Sequence, residues 1–375
     1  MNCRIALING IIYNQYAVIK QQSLLLDEEH IVGIVPIDQI PEDYEHLDVA
    51  GAYICPGMID LQIYGTGDQL FSAELTQESL YAIEKQLLLQ GCTSFYLTLA
   101  TNTLEVFKKA ITIFKQSDPT VALGLHLEGP FLNPLKRGAH PEDLVISASP
   151  TLINELLLDA NDVVKMITIA PELLDDACLD VLKQYKVLVS AGHSAANFEE
   201  ASASFNKGID AVTHLWNAMS VLHHRNTGLP GAVFNHQTVS ASIIVDGIHV
   251  DYEAVKLSKK LLGDRLFLIT DAVASCRKGI YQHVLKKDHY VLPDGTLSGS
   301  ALTLLKAVEN CVNHAGISLD EALRMATLYP SRLIKNPLIG NLNRGSIANV
   351  LVFNANFEIK HVFLKGKAIM GSQKE

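Results

Sequence analysis

Val121-Ala122-Leu123-Gly124-Leu125-His126-Leu127-Glu128-Gly129-Pro130-Phe131 decides the fold. From Val121 to Leu127 the run is apolar enough for a strand covered on both faces, and Gly129-Pro130 stops it from continuing as a ladder. A carboxylate at the carboxyl end of such a strand, Glu128, is poorly placed for stability and well placed for chemistry. The same pattern recurs at Val187–Gly192 before His193, at Ala211–Thr213 before His214 and at Leu266–Thr270 before Asp271. Working outward, candidate strands fall at Ile54–Ile63, Thr93–Leu99, Val121–Leu127, Val164–Ile169, Val187–Ala191, Ala211–Thr213, Val239–Val245 and Leu266–Thr270. Between them, Thr76–Gln90, Leu104–Gln116 and Asn197–Phe205 carry a cap residue or an acidic first turn and helical apolar spacing. Buried strands alternating with helices imply an α/β fold with a parallel sheet. Eight such units across residues 54–343 predict a closed (β/α)8 barrel. The open doubly wound sheet is the alternative, but its Gly-x-Gly-x-x-Gly turn and the Walker loop are missing, and Gly65-Thr66-Gly67-Asp68 is only a fragment of one.

The two ends have a different texture. Ile5–Ile8, Ile11–Tyr13, Ser23–Leu26 and Ile31–Val35 read as short strands, with Asn9-Gly10 as a hairpin signal. Gly345–Phe353 and His361–Lys367 are strand-like as well. Neither end makes a sheet alone, so residues 1–53 and 344–375 are expected to pair into one small β domain beside a barrel of residues 54–343.

Composition excludes whole classes of function. The chain has 375 residues, 48% hydrophobic and 19% charged, with a formal net charge of −10. That balance describes an ordinary folded protein and argues against broad capture of nucleic acid, while leaving room for one local basic pocket. No run is long enough to span a membrane, and the first residues lack the apolar core of a signal peptide. Cys3, Cys55, Cys92, Cys178, Cys276 and Cys311 are dispersed without paired spacing, as expected of reduced thiols in a cytoplasmic protein.

A lone buried histidine is more often structural than functional. Here His193 and His214 leave consecutive strands on the face where barrels do chemistry, and imidazole plus carboxylate is a normal ligand set for a first-row divalent ion. Glu128, His193 and His214 supply three ligands and leave a position for water. Asp271 can cap the following segment. In a barrel with an axial metal it can instead act as general base and acid for the activated water.

The motifs together resemble the amidohydrolase superfamily, and within it the N-acetylglucosamine-6-phosphate deacetylase family. The resemblance rests on Pro56-Gly57-Met58-Ile59-Asp60, His126–Phe131, Arg137-Gly138-Ala139-His140, Gly192-His193-Ser194, Thr213–Met219, Asp246-Gly247-Ile248-His249, Thr270-Asp271-Ala272 and Leu297-Ser298-Gly299-Ser300. It implies a (β/α)8 barrel with a small β-sandwich made from both chain ends. It further implies hydrolysis of the N-acetyl group of N-acetyl-D-glucosamine 6-phosphate to the amine and acetate. By the same resemblance Glu128, His193 and His214 hold the metal, Asp271 is the acid/base, and His140 hydrogen-bonds the acetyl oxygen. Asn217, the backbone amide of Ala218, His249, Leu297 and Arg225 form the phosphosugar site. In the family that arginine reaches across from a second subunit, which implies a homodimer. A planar guanidinium suits phosphate, and His223-His224-Arg225 is a basic cluster in an acidic chain; without the resemblance it reads equally as an exposed loop.

The departures narrow the expectation. Many superfamily members carry His-x-His at the end of the first barrel strand and hold two metals, whereas here Gln62-Ile63-Tyr64 stands there, and no lysine ends the fourth strand. One divalent ion per subunit is therefore predicted, Zn²⁺ first, with Fe²⁺, Co²⁺ and Mn²⁺ as alternatives. Tyr64 has no assigned role and can simply pack at the barrel mouth. Three other functions stay open: deacetylation of the galacto epimer, hydrolysis of another amide, and a barrel without catalysis.

Overall fold

The computed structural model describes residues 4–160 and 162–370, so Cys3 lies outside the described residues. Eight strands form one parallel sheet: β1 (Met58–Ile63), β2 (Cys92–Ala100), β3 (Ala122–Glu128), β4 (Val164–Ile169), β5 (Leu188–Ala191), β6 (Ala211–Val212), β7 (Ser240–Ile243) and β8 (Leu266–Leu268), neighbours in chain order. The last closes on the first through an Ile63–Ala272 bridge, with Asp271 N–H donating to Gln62 C=O at 3.0 Å and Tyr64 N–H to Ala272 C=O at 2.9 Å. Each strand is followed in the chain by a helix, α1 (Gln77–Leu89), α2 (Leu104–Gln116), α3 (Pro150–Leu157), α4 (Asp176–Gln184), α5 (Phe198–Asn206), α6 (Gly228–Asn235), α7 (Tyr252–Leu262) and α8 (Leu304–Asn313). The architecture is a (β/α)8 barrel.

Local chemistry explains these helices. Thr103 caps α2 by accepting from Val106 N–H, and Phe107, Ala110, Ile111 and Phe114, spaced at helical intervals, bury one face. Burial of each large side chain there contributes about 2 kcal/mol. Asn197 and Glu200 form a reciprocal capping box at the start of α5.

The chain divides into two compact units, one of Leu61–Gln86 and Phe95–Thr303, the other of Met1–Asp60, Leu87–Ser94 and Leu304–Glu375. In the second unit a six-stranded sheet interleaves strands from both chain ends in the order Lys367–Met370, Ile359–Leu364, Val350–Phe353, Tyr53–Pro56, Ile11–Asn14, Ala17–Ile19. A four-stranded sheet runs His30–Val35, Ser23–Asp27, Arg4–Ile8, Glu45–Asp48. Leu7, Leu24, Leu26 and Ile31 of the smaller sheet share one core with Ile12, Ile54, Val350, Val352 and Phe363 of the larger.

Two expectations are corrected. The run Ile54–Ile63 is two strands, because Gly57 N–H bonds Asn349 C=O on the larger sheet while Met58 N–H bonds Gly91 C=O at the foot of β2. A Cβ on Gly57 would lie 2.1 Å from Thr93 Oγ1, so only glycine fits at the break. Asn9-Gly10 is not a hairpin turn. Asn9 adopts φ 59°, but there the chain passes from Arg4–Ile8 in one sheet to Ile11–Asn14 in the other, and the hairpin follows at Asn14–Ala17. Cys55, Cys92, Cys178, Cys276 and Cys311 are buried, and none of these five described cysteines is in a disulfide. Among the described residues no helix is long and apolar enough to cross a membrane.

Candidate active site

The strand ends converge on a cavity of about 320 Å³. Of the residues singled out from sequence, all but Arg225 line it: Glu128, His140, His193, His214, Asn217, Ala218, His249, Asp271 and Leu297. His193, His214, Ala218 and Asp271 take left-handed φ of 48°, 35°, 49° and 54°. Such conformations cost on the order of 1–3 kcal/mol each in a non-glycine residue and concentrate where function requires them.

Glu128 ends β3 as a buried carboxylate. Its Oε1 lies 3.1 Å from His214 Nε2 and 3.3 Å from His193 Nε2, and those two nitrogens are 3.1 Å apart. Its Oε2 lies 3.1 Å from His140 Nε2. Burial alone would raise the carboxyl, but the His193 charge and the hydrogen bonds from His140, His193 and His214 outweigh it and hold the group well below the usual carboxylate range. The loop after β3 fixes His193 twice: Asn133 N–H donates to His193 C=O at 3.0 Å, and His193 Nδ1–H donates to Lys136 C=O at 2.8 Å. Glu172 ties the same loop to the one after β5 by accepting from Asn133 Nδ2 at 2.8 Å and from Ser194 Oγ and Ala195 N–H at 2.6 Å each. His214 is anchored through its backbone N–H to Ser242 Oγ at 2.8 Å.

Imidazole protons sort the histidines. A carbonyl only accepts, so His193 carries a proton on Nδ1, and Nε2, which faces Glu128, is the nitrogen that can offer a lone pair to a bound cation. The Thr101 backbone N–H donates to His140 Nδ1 at 3.2 Å, which places that ring's proton on Nε2. By spacing alone Glu128, His140 and His193 also offer ligand atoms within 4.8 Å of one another. The tautomer separates them, since a protonated Nε2 is a hydrogen-bond donor and not a ligand. His214 Nε2 approaches both Glu128 and His193, and its Nδ1 is buried without a partner. One carboxylate oxygen with two converging imidazole nitrogens, one of them steadied by a carbonyl, fits a divalent cation.

Several contacts escaped the sequence reading. Gln62 Nε2 reaches Asp271 Oδ1 at 2.7 Å, Glu128 Oε1 at 2.9 Å and Tyr64 Oη at 2.9 Å, and the Tyr64 hydroxyl donates to Glu128 Oε2. Tyr64 is thus part of the site, with its phenol pushed well up by burial and by the charges of Glu128 and Asp271. Tyr281 and His283 also line the cavity, from an excursion between β8 and α8 whose short antiparallel strands are Val284–Lys286, His289–Val291 and Leu297–Ser300. Tyr281 Oη donates to Thr101 C=O at 2.7 Å. His249 Nδ1 pairs with buried Asp246 at 2.6 Å, and its hydrogen bond and charge lower that carboxyl against the opposing effect of burial. Arg225 stands on an exposed turn, its Nη1 3.1 Å from His224 Nε2. Beneath the cavity lies a buried polar floor. His126 Nδ1 is 3.1 Å from Leu61 C=O and its Nε2 2.8 Å from Thr168 Oγ1, Thr168 and Thr213 hydroxyls are 2.7 Å apart, and Ser190 Oγ is 2.6 Å from Thr213.

Comparison with known proteins matches residues 53–369 to the amidohydrolase family and residues 5–54 to the NagA composite domain. The N-acetylglucosamine-6-phosphate deacetylase of Haemophilus influenzae is 33% identical, over 96% of this chain and 98% of that protein. The N-acetylglucosamine-6-phosphate deacetylase structure from Pasteurella multocida has a TM-score of 0.94 at 32% identity, covering 98% of this chain and 100% of its own. A Mycobacterium smegmatis N-acetyl-D-glucosamine-6-phosphate deacetylase mutant, solved in complex with N-acetyl-D-glucosamine-6-phosphate, has a TM-score of 0.90 at 25% identity, covering 98% of this chain and 100% of its own.

Proposed function

The chain belongs to the amidohydrolase family, and from that premise we propose that it deacetylates N-acetyl-D-glucosamine 6-phosphate, giving D-glucosamine 6-phosphate and acetate. One observation carries the reading: Glu128, His193 and His214 converge beside Asp271 and a donor-oriented His140 in a cavity that also holds Asn217, Ala218 and His249. The cofactor in this reading is one divalent ion per subunit, Zn²⁺ first, held by Glu128, His193 and His214. Such an ion lowers the pKa of water and polarises an acyl oxygen.

The chain's own residues do the rest. Asp271 takes a proton from the attacking water as the oxygen–carbon bond forms, and returns it to the amine nitrogen as the carbon–nitrogen bond breaks. His140 Nε2–H donates to the acyl oxygen as negative charge develops there. Asn217, the Ala218 amide and His249 hold the sugar and its phosphate, with Leu297 at the rim. Arg225, exposed on its own subunit, suits the family's arrangement in which this side chain completes a partner's phosphate site, so the reading includes a cytoplasmic homodimer.

The test is acetate release from the gluco and galacto epimers side by side, with and without added Zn²⁺. The gluco sugar is expected to be preferred, and a clear preference for the galacto sugar would overturn the substrate assignment.

A further inference from the structure

The two oxygens of Glu128 have different neighbours. Oε1 faces His214 Nε2 at 3.1 Å and His193 Nε2 at 3.3 Å, the direction in which ligand atoms converge. Oε2 receives the Tyr64 hydroxyl and lies 3.1 Å from the Nε2–H of His140. Gln62 shares its two amide protons among Asp271 Oδ1, the Tyr64 oxygen and Glu128 Oε1, the last at 2.9 Å, so Oε1 accepts from Gln62 on one side and faces the histidines on the other. Since the phenol oxygen accepts from Gln62, its own proton goes to Glu128. Tyr64 is 8% exposed, so this bond forms away from bulk water, where it is stronger.

Resting on the reading of Glu128, His193 and His214 as the ligand set, we propose that Tyr64 is a positioning residue whose hydroxyl occupies Glu128 Oε2 and leaves Oε1, which accepts from Gln62 through one lone pair, as the oxygen whose other lone pair is offered to one divalent ion. Gln62 turns its NH2 group, a donor only, toward Glu128 and Asp271, and so closes the end of β1 without offering a ligand atom there. The end of β1 then does two things in this chain. It supplies no ligand for a second ion, and it fixes how the carboxylate meets the first.

The experiment uses the full chain stripped of metal and titrated with Zn²⁺ against a chromophoric chelator, and with Co²⁺ for the visible spectrum of its coordination. Tyr64→Phe keeps the ring and removes only the proton donor. Loss of an outer partner of this kind is expected to weaken Zn²⁺ binding by roughly 10–100-fold. The ratio should stay at one ion per chain and the Co²⁺ spectrum should change. At saturating metal KM is expected to stay at the parent value while kcat largely recovers. Tyr64→Asn, with a donor on a shorter arm, is expected to fall between the two in affinity, and melting of each metal-free protein reads the fold separately. A parent that binds Zn²⁺ as proposed, with Tyr64→Phe binding it equally tightly, overturns the inference and leaves the deacetylase reading intact. A parent that binds no ion overturns both.

Discussion

Removing His140 and removing His214 should break different parts of the site, although the two rings look interchangeable by distance. Each has its Nε2 3.1 Å from a Glu128 oxygen. The difference is the proton: Thr101 N–H occupies the His140 Nδ1 lone pair at 3.2 Å, leaving Nε2 as a donor, whereas His214 Nδ1 has no partner and its Nε2 converges with that of His193. His140→Ala therefore deletes one preorganised donor. Such a loss costs roughly 2.7–4 kcal/mol of transition-state stabilisation, a fall of about 10²–10³ in kcat. His214→Ala deletes one ligand of three, so Zn²⁺ affinity should drop by more than the ~100-fold typical of an outer partner. The assay is elemental analysis after dialysis against a chelator, followed by kcat and KM with N-acetyl-D-glucosamine 6-phosphate at saturating Zn²⁺. His140→Ala is expected to keep one ion and a near-parent KM. Loss of the ion from His140→Ala with retention in His214→Ala would refute the reasoning, because the ligand set would then be Glu128, His140 and His193.

Asp271→Asn removes the proton acceptor while Gln62 still faces its side chain, so metal content and KM should hold while kcat falls by about 10²–10⁴. Near-normal turnover would place the base elsewhere. Arg225→Ala should raise KM by roughly 10–100-fold through loss of a charge-assisted bond to phosphate, with little change in metal content; an unchanged KM would remove Arg225 from the substrate site. Burial pushes the His283 imidazole down to about 4. It is neutral in the fold while the unfolded chain takes up a proton near its ordinary value of about 6.5, so stability is lost as pH falls from about 6.5 towards 4. Between pH 7 and pH 5 this group accounts for a loss of about 2 kcal/mol. Urea unfolding of His283→Gln should show a correspondingly smaller loss, and an identical pH slope in the variant would contradict the buried neutral state.

The barrel was legible because its strands are covered on both faces, which makes each an apolar run with a definite end. For the same reason Glu128, His193, His214 and Asp271 stood out: each interrupts such a run where the chain turns. The continuity that revealed the barrel hid the break at Gly57, since Tyr53–Pro56 and Met58–Ile63 are both buried strands and only their hydrogen-bond partners tell them apart. Asn9-Gly10 had the residues of a tight turn, but turn chemistry fixes the bend and not the sheet that receives the next strand. Gln62 and Tyr64 read as absences of histidine, because their donor roles exist only when the ends of β1, β3 and β8 meet. Tyr281 and His283 carried no strand-end signal, and reach the cavity through a long excursion after β8.

The floor beneath the site has a polarity of its own. Leu61 C=O can only accept, so His126 holds its proton on Nδ1, and burial pushes that imidazole down to about 4, keeping it neutral. Its Nε2 must then accept from Thr168, whose oxygen must accept from Thr213, whose oxygen must accept from Ser190. Every hydroxyl points the same way, like a queue with a front and a back. Loss of the last member, as in Ser190→Ala, removes a donor and strands no proton. Thr168→Val cuts the middle and strands two partners at once, the His126 lone pair and the Thr213 proton, each a buried group whose desolvation costs about 1–3 kcal/mol. The queue joins β3, β4, β5 and the residue that follows β6; Glu128 ends β3, and His193 and His214 each stand two residues beyond the ends of β5 and β6. A slip in any one of those strands would therefore be registered by the others before it reached the ligands.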